Sequence, residues 1–174
     1  MSEIRHELHQ LQIGVVLSVL TLLYGFGLGI AFGAAEDSIK GTLQSRGEAV
    51  LETAYESDKA KMNATVKKSW VYFKRAHLHA NGMGTSALAM IFLLAVFPVA
   101  SRGRKILAAM LGFGGLTYAL YWMLAGLRAP GMGSTGAAKA SLEWLAIPSS
   151  GMFVLATIAV FVLCLTQLKG DAKA

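Results

Sequence analysis

Residues 8–35 read LHQLQIGVVLSVLTLLYGFGLGIAFGAA, 28 positions without one formally charged side chain. A bilayer's hydrocarbon core takes about 20 apolar residues of helix to cross, so this run is long enough to span it. It is also too long for the apolar core of a signal peptide, and no small-residue cleavage pattern follows a short core. The run is therefore read as a retained transmembrane helix at about 11–34. Three further uncharged stretches follow, at 76–101, 106–127 and 144–168. They place later spans at about 83–100, 106–127 and 149–168.

The composition agrees. The chain is 55% hydrophobic and 15% charged, whereas a soluble domain carries about 25% charged residues. The expected fold is an all-α integral membrane protein, with four transmembrane helices in one bundle and one domain over 1–174. The net charge of +6 comes from cations that flank the apolar stretches, where they anchor helix ends. Nucleic acid is thus not an expected partner; the lipid bilayer is. The lone cysteine, Cys164, falls inside the fourth span and reads as a small apolar residue.

The segment 36–76 breaks the apolar pattern. It is densely charged and contains no proline, and apolar residues recur at Ile39, Leu43, Val50, Tyr55, Met62, Val66, Trp70 and Phe73. Steps of three, four and seven indicate amphipathic helix. A break at Glu56-Ser57-Asp58, with Ser57 or Asp58 as N-cap, makes the segment a helical hairpin outside the membrane. The stripe Val50, Met62, Val66 and Trp70 can either pack within the hairpin or dock a partner. The loop 128–148 shares its side, with a turn-rich start at Ala129-Pro130-Gly131-Met132-Gly133 and a short helix over 137–145. Pro148 opens the fourth span.

The opposite side holds the N-terminus, the C-terminal tail and a tight basic turn, Ser101-Arg102-Gly103-Arg104-Lys105. Three cations in five residues favour a cytoplasmic position for that side, with the protein in a bacterial inner membrane. Gly25, Gly29 and Gly33 form a small-residue ridge at a spacing of four. Such a ridge serves packing within the bundle or a homo-oligomer seam.

No Asp, Glu, Lys or Arg lies deep in any expected span. Transporters and proton channels keep such groups at the midplane, so neither class is favoured. No Ser-His-Asp, Cys-His or HExxH arrangement occurs, and hydrolytic catalysis has no visible nucleophile. The chain reads as something other than an enzyme acting alone.

The focal stretch is Tyr72-Phe73-Lys74-Arg75-Ala76-His77-Leu78-His79-Ala80-Asn81-Gly82-Met83-Gly84. On a helix, His77 and His79 point about 200° apart. His77 then lines up with Trp70, Phe73, Asn81 and Gly84 on the buried stripe, and His79 with Lys68, Tyr72 and Arg75 on the polar one. A single imidazole beside the groove left by Ala80 and Gly84 suits a b-type haem, with Met132 or Met83 as second ligand and Arg75 or Arg128 on the propionates. The same face suits a quinone, with His77 donating to a carbonyl and Tyr121 or Trp122 stacking. On an extended backbone, His77 and His79 could instead chelate copper or zinc. The plain alternative is an interfacial histidine hydrogen-bonded to a neighbour. Two functions from different classes therefore stand. One is a small redox-associated subunit that binds haem or quinone through His77, His79, Asn81, Gly84, Arg75, Arg128 and Met132. The other is a non-catalytic scaffold that docks a membrane or soluble partner through 36–76.

Overall fold

In a computed structural model the chain is described over residues 2–97 and 101–170, with side chains over 4–97 and 101–167. The expected end of the second span, with Pro98, lies outside the described residues. All regular structure among them is helical: α1 Ser2–Gln10, α2 Gln12–Glu48, α3 Leu51–Tyr55, α4 Lys59–Val96, α5 Ser101–Arg128, α6 Thr135–Ala140 and α7 Glu143–Gly170. α2, α4, α5 and α7 are each long and apolar enough to cross a membrane.

The helices run further than the apolar stretches. α2 continues past Ala35, which leaves helical geometry at φ −142° and ψ 25°, and ends only at Glu48. α4 starts at Lys59 and runs without interruption into the second apolar stretch. The charged segment thus prolongs two long helices, with a kink at Ala35 in α2, and the prolongations fold back on each other as a helical hairpin joined by α3. A change of solvent from apolar to polar does not end a helix whose backbone hydrogen bonds are internal. The break does fall at 56–58. Glu56 and Ser57 adopt left-handed φ of 56° and 63°, and the Asp58 carboxylate caps α4 by accepting from the Lys61 amide at 2.9 Å. Likewise the basic residues 101–105 are not a turn but the first turn and a half of α5. Pro148 lies inside α7, which begins five residues earlier at Glu143.

α2, α4 and α5 pack pairwise, and α7 rests chiefly on α5. Glycines set the close approaches. A Cβ on Gly14 would collide with the Ala108 backbone, and one on Gly112 would stand 2.9 Å from the Gly14 carbonyl oxygen. Such small-residue seams let helices gain dispersion contact without a hydrophobic driving force. The main apolar core joins Leu11, Ala87, Ile91, Leu94, Ala108, Leu111, Ala156 and Val160. At the same end the buried Arg104 pairs with Glu7 at 2.6 Å, tying α1 to α5.

At the other end the charged prolongation is clasped onto the body. The buried Tyr55 hydroxyl donates to the Pro130 carbonyl at 2.8 Å. Arg46 donates to the Leu127 carbonyl at 2.9 Å. Gly133, at φ +67°, leaves no room for a side chain against Ala54. Part of the stripe packs between the two prolongations: Met62 is buried and packs with Val66 against Gly47.

Candidate functional site at the α4 histidines

α4 is helical through 77–79, so the two histidines leave it on different sides. The extended backbone that a two-histidine metal site requires is absent. No group of three or more His, Cys, Asp or Glu placed to hold a metal occurs among the described residues either.

His77 faces α2. Its Nδ1 lies 2.7 Å from the Gly25 carbonyl oxygen. A carbonyl only accepts, so Nδ1 carries the proton and donates. Nε2 is then the acceptor nitrogen, and the Asn81 amide nitrogen stands 3.3 Å from Nδ1 and 3.4 Å from Nε2, alongside the ring and not aimed at one nitrogen. The Phe32 ring meets the imidazole edge-on at 5.8 Å, and a Cβ on Gly29 would stand 3.0 Å from the imidazole Cε1. Gly25 and Gly29 thus form the α2 side of a seam with α4 and are not available as a seam between copies; only Gly33 of the ridge faces open space.

The groove along Ala80 and Gly84 is already filled. A Cβ on Gly84 would strike the Leu22 side chain and come within 3.2 Å of the Ser18 carbonyl, and Ala80 lies against Gly25. The Leu22 side chain and the Ser18 carbonyl of α2 occupy the volume beside Gly84, and the Gly25 carbonyl engages His77 Nδ1. A b-type haem does not fit these residues as arranged. The other residues grouped with His77 lie elsewhere. Arg128 donates to the Ser141 hydroxyl at 3.1 Å, and Met132 sulfur stands 4.0 Å from that same hydroxyl. Met83 faces Gly115 of α5.

His79 faces α5 and is half-buried, not on a polar stripe. Its ring stacks on Trp122 at 5.9 Å and 19°, and meets Tyr118 at 5.1 Å. The Arg75 guanidinium lies 4.8 Å from the Trp122 ring, within cation–π range. Tyr72 and Tyr121 close on the same indole at 5.0 and 5.2 Å. Trp122 is buried, and its indole Nε1 has no hydrogen-bond partner. This cluster is the chemically richest spot on α4. It contains His79 and Arg75 but excludes His77, Asn81 and Gly84. The spacing Tyr118, Trp122 on α5 was a usable signal, since residues four apart share a helix face.

No protein-family model, curated protein or solved structure matches the chain.

Proposed function

We propose that the protein is a non-catalytic membrane scaffold. In this reading its four long helices cross a bacterial inner membrane with both termini cytoplasmic, and the prolongation of α2 and α4 presents a charged outer face to a protein partner. The observation that carries this reading is the clasp of Tyr55 on Pro130 and Arg46 on Leu127. It fixes the charged helices as one rigid surface, which lowers the ordering cost of binding. Met62 of the apolar stripe is buried internally, and in this reading protein recognition falls to exposed charges such as Glu52, Lys59, Lys61 and Lys68. Photo-reactive residues placed at 53 and 64, both exposed, in living cells test the reading. The expected result is one discrete protein adduct shared by both positions, lost on K61E/K68E, with the purified partner rebinding in a salt-dependent way. Adducts to lipid alone, or adducts indifferent to charge reversal, would overturn it.

A second reading, a quinone-binding redox subunit, draws support from the buried, unpaired Trp122 indole N–H beside His79, Arg75 and Tyr118. A quinone carbonyl is an acceptor of the kind that N–H lacks. Titration with a short-tailed quinone should quench tryptophan emission saturably, and W122F should remove the saturable component. Linear, mutation-independent quenching would dismiss this reading.

A further inference from the structure

A second feature lies outside the histidine cluster. Where the prolongations of α2 and α4 run side by side they leave a groove of about 530 Å³, lined by Lys40, Leu43, Gln44, Val66, Lys67 and Trp70, with Gly41 and Asn63 at its margins. Leu43 is fully buried and forms the floor. The Lys40 ammonium stands 5.3 Å from the Trp70 ring centroid and also pairs with Glu36 on its own helix. Lys67 is exposed and forms no ion pair among the described residues. Gln44 donates to Glu48 at 2.9 Å and lies 3.4 Å from the Asn63 amide oxygen, which ties the two helices at the far end. No carboxylate lines the groove.

Its level along the helices is informative. Lys40 lies five residues beyond Ala35, the end of the first apolar stretch, which is about 7–8 Å along a helix. The headgroup layer on each side of a bilayer is about 5–8 Å thick. Lys67 stands at about the same level on α4, since Gly29 meets His77 and Gln44 meets Asn63 across the two helices, and a lysine stem lets its ammonium reach toward the headgroups. Trp70 lies three residues closer to the apolar part of the molecule than Lys67, in edge contact with Phe32 at 4.9 Å. Tryptophan is enriched at this depth.

We propose that this groove binds the phosphate headgroup of an anionic phospholipid between Lys40 and Lys67, with the glycerol ester region against Trp70 and Val66. Two cations, an apolar floor and a position at headgroup depth match an anionic amphiphile better than a free anion, which has no use for the floor. The inference rests on the helices spanning a bilayer and is independent of any protein partner.

Native mass spectrometry in detergent, with phosphatidylglycerol and phosphatidylcholine of identical acyl chains, tests it. Wild-type protein should retain the anionic lipid at least about tenfold better, as expected for two lysines at a headgroup. K40Q/K67Q should erase the preference, and K40R/K67R should restore it. G41L, which places a side chain in the open space beside Gly41 without changing charge, should weaken retention. K67Q alone, at an exposed position, serves if the double variant does not fold, and should reduce the preference partway. Equal retention of both lipids, a preference indifferent to these variants, or displacement by millimolar inorganic phosphate would overturn the proposal. Vesicle flotation separates the two levels of failure. Protein that floats with no vesicles contradicts the membrane reading, whereas protein that floats without anionic preference contradicts this site alone.

Discussion

The hydroxyl of Tyr55 donates to the carbonyl of Pro130 across 75 residues of sequence, at 2.8 Å and out of contact with solvent. This bond joins the link between the two long helices to the turn after α5. Y55F removes the shorter donor and leaves the buried Pro130 carbonyl with only the Gly133 amide at 3.4 Å, a loss of about 1 kcal/mol. The expected result is faster hydrogen exchange and proteolysis at 51–58 and 128–133, with the apolar helices unaffected.

The same bond carries a pH dependence. Burial raises the Tyr55 phenol above its ordinary value of 10.0. A raised folded-state value means the neutral phenol is favoured by the fold. The contribution is complete below about pH 10, the unfolded value, and is lost as pH rises through the folded one. Exchange protection at 51–58 should therefore fall in alkali in the wild type, and Y55F should show no such component.

Arg104 and Glu7 form a buried ion pair at the opposite end, with side chains 10% and 25% exposed. Removing one partner strands the other, at about 3–5 kcal/mol when burial is complete. E7Q and R104M should each lower the detergent melting temperature, and the double variant should recover part of the loss. Additive losses would show that the two residues act separately.

Glycine substitutions should divide by contact. G14V forces a side chain into the Ala108 backbone and G84L into Leu22, whereas Gly27 and Gly33 face open space. Overpacking costs about 1–3 kcal/mol. G14V and G84L should reduce the yield of monodisperse protein, and G27A and G33A should behave as wild type.

His77 links α4 to α2, so H77A should lower thermal stability. Haem-replete protein should show no Soret or α bands in a dithionite-reduced minus oxidised spectrum, because α2 fills the groove beside Gly84. Sharp reduced bands that vanish in H77A would reverse that conclusion.

The four apolar runs and the break at Asp58 were legible because charge pattern and capping chemistry are local. The continuation of α2 through Ala35 was not. Glu36, Asp37 and Lys40 mark a change of surroundings, and a helix can carry through such a change. The roles of the two histidines were legible only in part. Helical spacing separated them correctly, yet it placed His79 with Arg75 on a polar face. Arg75 instead covers the Trp122 ring, and only the neighbouring helix reveals that an arginine's stripe is packed. The Glu7–Arg104 pair joins residues almost a hundred positions apart, and nothing in either one's local spacing announces the other.

α4 is a single uninterrupted helix of 38 residues, about 57 Å long. Its charged part, from Lys59 to Arg75, extends about 25 Å beyond the apolar part. A tilt of roughly 10° within the bilayer would sweep its outer tip through about 4 Å, as the same rise per residue dictates. α2 has a point of give at Ala35 and α4 has none. Were the apolar helices set in a bilayer, the rod would act as a lever: a change in thickness or in the surrounding lipid would be felt at Tyr55, far from the hydrocarbon where it began.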